Sequence, residues 1–356
     1  MKRKIRVAIL FGGKSAEHEV SIRSAKNVAD AMDKSKYDVA LIGIDKQGHW
    51  LPPQKSAALL GKPSVPPSET SIALAPGENG LITSAEEPQA GQIDVVFPIL
   101  HGPFGEDGTV QGLLRLANVP FVGAGVLGSA VGMDKDVMKR LLRDAGIRIG
   151  KFLVSTETNP VPFAQAKAEL GLPMFIKPAN LGSSIGISKV KDEESYREAM
   201  QEAFAYDTKV IIEEFIKGRE IECSVLGNEN PIASVPGEVI VHSEFYSYDA
   251  KYLDENGASL QIPADLPEET KKAVQEAAVK TFKALCCEGM GRVDSFVTDD
   301  GRVFVNEINT IPGFTNISMY PKMWEASGIS YSDLIDKLIT LAIERFEKQQ
   351  KLRTNK

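Results

Sequence analysis

The segment Gly291–Gly313, with the sequence GRVDSFVTDDGRVFVNEINTIPG, most constrains how this chain can fold. Its two halves, Val293–Val297 and Val303–Ile308, are rich in β-branched and aromatic residues, as is typical of strands. Between them, Asp300 and Gly301 predict a two-residue turn, because both central positions of such a turn need positive φ. The segment is therefore predicted to be a β-hairpin.

The predicted hairpin places four polar side chains on one face of the sheet. The turn makes Asp294 face Glu307. It also makes Arg292 face Asn309. Because side chains alternate along a strand, all four side chains lie on the same face. Facing Cβ atoms lie roughly 5 Å apart, so the two carboxylates repel each other unless a cation lies between them. Carboxylate and amide oxygens suit Mg²⁺, which completes its shell with water and phosphate oxygens. The alternative is that Arg292 and Arg302 pair with these acids on a solvated face.

Composition limits the classes of function. The 356 residues predict two or three domains, and 43% hydrophobic with 25% charged residues is typical of a globular protein. The formal net charge of −7 argues against a nucleic acid or an anionic membrane surface as the main partner. No apolar run reaches the length of a membrane span. The three cysteines lack metal-binding spacing, which favours a reducing cytoplasm.

The N-terminal part has the pattern of a doubly wound α/β domain. The apolar run Ile5–Phe11 predicts a strand of a parallel sheet, followed by a helix that begins near Ser15. Val39–Ile44 and Ile93–Leu100 predict two further strands, and a tight loop begins at His101. Loops at the ends of such strands bind ligands in open α/β sheets. The glycines match neither the dinucleotide fingerprint nor a P-loop.

The remaining segments are predicted from periodicity. Leu51–Gln92 is rich in proline and predicts a long surface excursion with short strands, and Asp134–Ala145 predicts an amphipathic helix that contains Lys139. Ser243–Gln261 lacks periodicity, and such long loops are often active-site lids. The tail from Lys348 onward is expected to be frayed. Further predicted helices are Thr109–Ala117, Pro162–Leu170, Pro267–Leu285 and Tyr331–Glu347, and further predicted strands are Val119–Val122, Phe152–Val154, Met174–Ile176, Val210–Phe215 and Glu220–Leu226.

A loop rich in glycine and serine, KPANLGSSIG at 177–186, follows the predicted strand Met174–Ile176 and is predicted to be a turn between two strands. Its backbone N–H groups can lie against phosphate oxygens. Lys177 precedes the loop, whereas the lysine of a P-loop follows it, so the loop is similar to a flap that closes over a nucleotide. The alternative is a plain hairpin with a lysine at its edge. Together with Lys139, the lid and the metal hairpin, the flap predicts phosphoryl transfer from a nucleotide to a substrate held on the N-terminal sheet.

These motifs resemble those of the D-alanine–D-alanine ligases, a family of the ATP-grasp superfamily. The resemblance follows the family's order through FGGKSAEHEVS, HGPFGEDGTVQG, MDKDVMKRLL, KPANLGSSIGISKV, EEFIKGREIE, YDAKY, GRVDSF and NEINTIPGFTNISMYP. It implies an α/β protein, α+β in its C-terminal half, with a three-domain ATP-grasp fold. Residues 1–130 would form an N-terminal domain with an open parallel sheet that binds the first D-alanine. Residues 131–220 and 221–356 would form the central and C-terminal ATP-grasp subdomains, the latter with the metal hairpin and the lid.

The resemblance also implies an activity. It is the ATP-dependent ligation of two D-alanines to D-alanyl-D-alanine, through a D-alanyl phosphate, for peptidoglycan precursor synthesis. The implied partners are ATP, as a substrate, and D-alanine, with two Mg²⁺ or Mn²⁺ ions as cofactors. The family further suggests a homodimer in the cytoplasm, without a nucleic-acid or membrane partner.

Individual roles follow by matching residues. Lys139 and Lys177 would bind the ATP phosphates. Glu213 and the backbone near Ile216 would hold adenine, and Glu220 the ribose. The implied ATP-binding residues are Lys139, Lys177, Ser183, Ser184, Glu213, Ile216 and Glu220, and the implied metal ligands are Asp294, Glu307 and Asn309.

The amino-acid substrates are assigned in the same way. Glu17 would take the ammonium of the first D-alanine, His101 would lie near its carboxylate, and Ser318 would hold the carboxylate of the second. The implied catalytic residues are Glu17, Ser183, Tyr252, Arg292 and Gly313. Of these, Arg292 and the Gly313 N–H would stabilise the developing negative charge, and Tyr252 would link Ser183 to Glu17 when the lid closes.

Other functions compete with this one. Relatives of the family make D-alanyl-D-lactate or D-alanyl-D-serine, although the YDAKY segment with Tyr252 resembles the dipeptide-making members. A non-catalytic nucleotide-binding relative would be favoured by a lost metal ligand, but Asp294, Glu307 and Asn309 are all present. A dinucleotide-dependent oxidoreductase is disfavoured because the fingerprint glycines are missing.

Overall fold

The computed structural model describes residues 3–61, 71–77, 79–84, 91–241 and 258–353. Its helices are α1 (His18–Ala31), α2 (Pro53–Gly61), α3 (Thr109–Leu116), α4 (Val126–Met133), α5 (Lys135–Asp144), α6 (Phe163–Leu170), α7 (Glu193–Phe204), α8 (Glu268–Ala284), α9 (Met319–Ala326) and α10 (Tyr331–Gln350). Its strands are β1 (Ile5–Gly12), β2 (Tyr37–Ile44), β3 (Ile72–Leu74), β4 (Leu81–Ser84), β5 (Gly91–Gln92), β6 (Val95–Ile99), β7 (Phe152–Thr156), β8 (Met174–Pro178), β9 (Ser188–Val190), β10 (Lys209–Glu214), β11 (Arg219–Gly227), β12 (Ile232–Ala233), β13 (Gly237–Val241), β14 (Ala258–Gln261), β15 (Gly289–Val297) and β16 (Val303–Asn309).

The N-terminal part contains a parallel sheet of three strands in the order β2–β1–β6. The side chains of Val7–Phe11 in the central strand β1 are fully buried, which explains why this run is apolar without alternation. The predicted strands and their parallel arrangement are therefore confirmed. A small antiparallel sheet, β3–β4–β5, follows within the proline-rich excursion.

Several N-terminal boundaries differ from the predictions. Helix α1 begins at His18, because the N–H of Glu17 is bound to Ser15 Oγ in a turn that precedes the helix. The predicted strand Val119–Val122 is reduced to a single bridge between Val96 and Phe121. Helices α2 and α4 were not predicted, since their short sequences lack a strong apolar stripe.

The C-terminal half is built on two antiparallel sheets, which gives it the predicted α+β character. One has the strand order β7–β10–β8–β9. The other has the order β14–β13–β11–β15–β16, with β12 added to β11. The flap joins β8 to β9, so it lies between two strands, as predicted, and these strands form an antiparallel pair.

The hairpin of β15 and β16 has the predicted facing pairs but not the predicted turn. Asp294 faces Glu307. Next to the turn, however, Val297 faces Val303, and five residues join the strands instead of two. A bulge after Asp294 shifts the register by one residue, and this shift offsets the longer turn. Gly301 has positive φ, as expected, whereas Asp300 does not belong to the residues with positive φ.

Two further departures lie near the C-terminus. Ala258–Gln261, predicted as part of the lid, is strand β14, because it pairs with the edge strand β13. The rest of the lid, 242–257, lies outside the described residues. Helix α10 continues to Gln350, so the tail is not frayed from Lys348. Among the described helices, none is long and apolar enough to cross a membrane.

The C-terminal helices pack on the N-terminal sheet. Phe97 and Val7 of that sheet share one buried cluster with Trp324 of α9 and Leu338 of α10. Arg345 of α10 adds polar contacts, because it donates hydrogen bonds to the carbonyl oxygens of Phe121 and Gly123 at 2.7 and 2.5 Å. The two ends of the chain therefore support each other, and this packing positions the parallel sheet against the segment that follows β16.

Candidate active site

A cavity of about 210 Å³ lies between the two antiparallel sheets and under the flap. Strands β8, β10, β11, β15 and β16 all contribute to its wall. The polar residues of the wall are Lys135, Lys177, Ser183, Ser184, Glu213, Glu214, Glu220, Glu222, Asp294, Ser295, Asn306 and Glu307. Apolar residues such as Phe175, Phe215 and Ile216 complete it, so the cavity offers both an apolar surface and a set of charges.

Two lysines in the wall bring positive charge to the flap and to the hairpin. Lys177, on β8, pairs with Glu213 and lies with its Nζ 3.3 Å from Asn306 Oδ1. Lys135, at the start of α5, donates from Nζ to the carbonyl oxygen of Leu181 in the flap at 2.6 Å. Its Nζ also lies 3.3 Å from Glu307 Oε2. Sequence reasoning missed Lys135, although Asp134 before it marks the helix start and caps it.

Lys139, the lysine predicted in this role, does not belong to the cavity wall. Its side chain is 2% exposed, and Nζ lies 2.6 Å from Glu213 Oε1. Burial lowers the pKa of Lys139, and the charge of Glu213 opposes this shift. Burial also raises the pKa of Glu213, but the charges of Lys139 and Lys177 outweigh it and lower that pKa to about 2. Glu213 is thus a carboxylate held between two lysines.

The acidic face of the hairpin is already paired within the protein. Arg292 donates from Nε and Nη2 to the two oxygens of Asp294, each at 2.8 Å, and its Nε lies 2.9 Å from Glu222 Oε2. Asn309 Nδ2 donates to Asp294 Oδ2 at 2.9 Å. Burial lowers the pKa of Arg292, but the charges of Asp294 and Glu222 raise it well above its usual value. Arg302 pairs with Asp300 at the exposed turn instead.

The bulge in the hairpin has a consequence for the cavity. Because it interrupts the alternation of β16, the consecutive residues Asn306 and Glu307 both line the wall. Asp294 and Glu307 therefore present carboxylate oxygens near Lys135 and Arg292, which neutralise them. In the parts of the chain that the structure describes, no group of three or more His, Cys, Asp or Glu side chains is arranged as a metal site. The predicted ligand set contains two carboxylates and an amide.

A second cluster lies at the carboxyl end of the parallel sheet. Glu17, just before α1, and His101, after β6, are both buried. His101 Nδ1 is hydrogen-bonded to the carbonyl oxygen of Ile311 at 3.0 Å, and its buried Nε2 has no hydrogen-bond partner among the described residues. Burial lowers the pKa of His101, whereas the charge of Glu17 and the Ile311 carbonyl raise it. The cluster thus contains the Glu17 carboxylate and the His101 ring, whose Nε2 has no hydrogen-bond partner among the described residues.

The flap reaches this second cluster. A Cβ atom added at Gly182 would lie 3.8 Å from Glu17 Oε2, and one added at Gly102 would lie 3.4 Å from the same oxygen. Next in the flap, Ser183 and Ser184 line the cavity with φ of 54° and 59°. Such left-handed values are uncommon for residues other than glycine, and they are typical of functional loops.

Glu106 also belongs to this cluster, although sequence reasoning did not select it. Its Oε2 accepts a hydrogen bond from the Gly102 N–H at 2.7 Å, and its Oε1 accepts one from the Ile311 N–H at 3.2 Å. Burial and then the charge of Glu17 raise the pKa of Glu106 to about 8, although the two N–H groups oppose this. Its place within the GEDG segment is the signal that could have identified it.

The loop after β16 completes the cluster. Ser318 Oγ accepts a hydrogen bond from the Thr315 N–H at 3.0 Å. A Cβ atom at position 313 would lie only 2.8 Å from Ser318 Oγ, so a side chain there would displace the Ser318 hydroxyl. Gly313 and Ser318 are therefore neighbours, as their predicted roles need.

The predicted residues thus fall into two groups that meet at the flap. Those that line the cavity are Lys177, Ser183, Ser184, Glu213, Ile216, Glu220, Asp294 and Glu307. Arg292, Asn309 and Lys139 contact members of this group from outside the wall. Glu17, His101, Gly313 and Ser318 belong to the second cluster. Tyr252 lies outside the described residues.

Two family models match the chain in sequence. The model described as "D-ala D-ala ligase N-terminus" matches residues 6–124. The model described as "D-ala D-ala ligase C-terminus" matches residues 141–340. Between them they cover both clusters of the site except Lys135 and Lys139, which lie between the two matched ranges.

Individual proteins are similar over nearly the whole chain. A D-alanine–D-alanine ligase of Oceanobacillus iheyensis is 54% identical, over 100% of this chain and 99% of its own. The crystal structure of VanG D-Ala:D-Ser ligase from Enterococcus faecalis has a TM-score of 0.84 and 38% identity, over 96% of this chain and 100% of its own. The D-alanine–D-alanine ligase of Bacillus anthracis complexed with ATP has a TM-score of 0.75 and 30% identity, over 98% of this chain and 100% of its own.

Proposed function

Because the chain belongs to the D-alanine–D-alanine ligase family, we propose that it joins two D-alanines into D-alanyl-D-alanine with ATP as the energy source. It is an ATP-dependent ligase with the ATP-grasp fold, and its product serves peptidoglycan precursor synthesis. The observation that carries the assignment is a cavity with two lysines and two facing carboxylates, whose flap reaches the buried Glu17.

The ATP phosphates bind at Lys135 and Lys177. Both ammonium groups line the cavity, and each lies near a side chain of the hairpin. The support for choosing Lys135 over Lys139 is geometric, because the Lys139 ammonium is buried against Glu213 behind the wall. Lys139 then acts on ATP only indirectly, through Glu213. Ser183 and Ser184 in the flap close over the phosphates.

The base and the sugar of ATP lie at the other side of the cavity. Phe175 and Phe215, with ring centroids 6.1 Å apart, offer an apolar surface to adenine. The backbone near Ile216 supplies hydrogen bonds to the base, and Glu213 is near enough to contribute. Glu220, also in the wall, accepts hydrogen bonds from the ribose hydroxyls.

Magnesium or manganese ions are held by Asp294, Glu307 and Asn309. These residues fit a hard divalent cation because they offer carboxylate and amide oxygens on one face of the hairpin. When bound, the ions neutralise charge on the phosphate oxygens. Lys135 and Arg292, which pair with Glu307 and Asp294, lie beside the oxygens that would hold the cations.

The two D-alanines bind in the second cluster. The carboxylate of Glu17 takes the ammonium of the first, and His101, whose Nδ1–H donates to the Ile311 carbonyl oxygen, lies near its carboxylate. Ser318 holds the carboxylate of the second. Arg292 and the Gly313 N–H stabilise the oxyanion that forms when the amine attacks. Tyr252, outside the described residues, is proposed to join Ser183 and Glu17 across the closed lid.

The order of chemical steps follows from the leaving group. A carboxylate oxygen is a poor leaving group, whereas phosphate is a good one, so ATP first converts the first D-alanine into an acyl phosphate. The amine of the second D-alanine then attacks its carbonyl carbon, the C–O bond breaks, and phosphate leaves with the electron pair. Water must be kept away meanwhile, because it would hydrolyse the acyl phosphate.

The organisation of the protein extends the proposal. Domains 1–130, 131–220 and 221–356 each contain their own sheet, which supports the division. A cytoplasmic location suits an enzyme that uses ATP and has three free cysteines. A homodimer is proposed from the family.

The decisive experiment measures phosphate release from Mg-ATP with D-alanine, alongside D-serine, D-lactate and L-alanine. We expect release only when D-alanine is present, with the dipeptide as product. Preferential use of D-serine as the second substrate would instead assign the specificity named for the VanG enzyme. ATP binding without release, for every amino acid tested, would refute the ligase.

A further inference from the structure

We infer that Ser24 and Asn27 of helix α1 are positioning residues, which hold the backbone next to Gly313 so that its N–H can serve the reaction. This inference rests on the proposed role of the Gly313 N–H. Neither residue touches the cavity, and both lie on the helix that begins beside Glu17.

The first observation is that the peptide groups of Phe314 are bound on both sides. The Phe314 N–H donates to Ser24 Oγ at 3.2 Å. The Phe314 carbonyl oxygen accepts from Asn27 Nδ2 at 3.3 Å and from the Tyr331 hydroxyl at 2.6 Å. The Phe314 side chain is fully buried, with its ring centroid 5.8 Å from that of Phe97 in the parallel sheet. Phe314 is therefore fixed to the N-terminal part by backbone and side chain.

The second observation is a similar attachment before Gly313. The Ile311 carbonyl oxygen is hydrogen-bonded to His101 Nδ1, and the Ile311 N–H donates to Glu106. Both partners come from the loop after β6. The short segment from Ile311 to Phe314 is thus bound at each end by side chains of the N-terminal part, although it belongs to the C-terminal part.

Helix α1 links the site of the first D-alanine, at Glu17, to the segment that carries the oxyanion donor, at Gly313. Ser24 lies seven residues after Glu17, which corresponds to about 10 Å along a helix. Helix α1 is rigid, so it sets how far the Glu17 carboxylate lies from the segment that carries the Gly313 N–H. An oxyanion donor works only within about 0.2 Å of its proper distance, and a displacement of roughly 1 Å can cost about 100-fold in rate. Ser24 and Asn27 therefore hold the oxyanion donor at a fixed distance from the site of the first D-alanine.

Ser24→Ala is the direct test, because it removes the acceptor of the Phe314 N–H and little volume. We expect kcat for dipeptide synthesis to fall about tenfold, as for partial misplacement of one donor, while KM for ATP changes less than twofold. Because formation of the acyl phosphate does not depend on this donor, the intermediate should accumulate. It can be measured in acid-quenched samples after conversion to the hydroxamate with hydroxylamine.

Ser56→Ala is the matched control. Ser56 of α2 is equally buried, and its Oγ accepts from the Gly43 N–H at 2.8 Å and donates to the Leu51 carbonyl oxygen at 2.9 Å. Ser56→Ala removes two hydrogen bonds and Ser24→Ala removes one, and the site is not involved at Ser56. We expect at least as large a loss of thermal stability in Ser56→Ala, without accumulation of acyl phosphate.

Equal kcat and equal hydroxamate yield in Ser24→Ala and Ser56→Ala would overturn the inference. If Ser24→Ala does not fold, Asn27→Ala decides the question, because it removes the hydrogen bond from the same helix to the Phe314 carbonyl oxygen. In that case an unchanged hydroxamate yield in Asn27→Ala overturns the inference. A wild-type enzyme that forms neither acyl phosphate nor dipeptide would refute the proposed function itself. An active wild-type enzyme whose variants show the same kcat and hydroxamate yield would refute only this inference.

Discussion

The Lys139 ammonium lies 2.6 Å from the Glu213 carboxylate, and both side chains are buried. Glu213 lines the cavity, whereas Lys139 lies behind its wall. Glu213 also pairs with Lys177, which reaches into the cavity. Three charges from helix α5 and strands β8 and β10 thus form one buried network. Within it, Lys139 pairs with the carboxylate that also pairs with Lys177, so the effect on ATP that we propose for Lys139 is indirect.

Lys139→Met should therefore damage the fold. Removing one partner of a buried ion pair typically costs about 3 kcal/mol of the free energy of unfolding, and this is an upper value here because Glu213 keeps its pair with Lys177. Chemical denaturation of the variant and the wild type measures this difference. A stability equal to that of the wild type would contradict the buried network.

Lys135→Ala should weaken ATP binding and leave the stability of the fold almost unchanged, in contrast to Lys139→Met. Losing a hydrogen bond from a charged donor to phosphate costs about 1.5–3 kcal/mol, so KM for ATP should rise by about tenfold or more. The Glu307 side chain is 23% exposed and keeps its contact with water, so the loss of stability should be small. An unchanged KM in Lys135→Ala, together with an increased one in a folded Lys139 variant, would return the phosphate contact to Lys139.

Glu307→Gln should abolish turnover without unfolding the protein. The substitution removes the repulsion between facing carboxylates but also removes a charged ligand for Mg²⁺. The measurement is phosphate release over a range of Mg²⁺ concentrations. Asp300→Asn, at the exposed turn of the same hairpin, is the control and should keep full activity. Near-normal activity of Glu307→Gln at low Mg²⁺ would remove Glu307 from the metal site.

Glu106 should make stability depend on pH. Its pKa is raised from 4.5 to about 8, so the folded protein favours the neutral carboxyl group. Its contribution to stability is therefore fully present below about pH 4.5 and is lost as pH rises towards 8. Unfolding free energies of wild type and Glu106→Gln, compared across this range, should shift in favour of the variant as pH rises.

The exposed Glu325→Gln substitution is the control for that comparison and should produce no such trend between these pH values. A constant difference between wild type and Glu106→Gln would mean that the carboxyl group of Glu106 is not perturbed by its surroundings.

Local sequence patterns predicted much of the fold and the type of chemistry. The continuous apolar run of β1 and the alternation in β15 and β16 depend on neighbours a few residues away, so they can be recognised directly. The facing of Asp294 and Glu307 was predicted as well, although by a turn that the hairpin does not have. The longer turn and the bulge shift the register in opposite directions. A prediction that assumes regular strand pairing cannot detect two irregularities that compensate each other.

What the sequence by itself determined is the set of chemical groups: lysines, facing carboxylates and a flap rich in glycine and serine. Only the tertiary structure decided which of two lysines on α5 reaches the cavity and which is buried against Glu213. It also decided that Glu106 and Ser24 hold the segment around Gly313. The reason is physical, because burial and hydrogen-bond partners come from residues that are far apart in the chain, and packing selects them only when the sheets and helices have assembled.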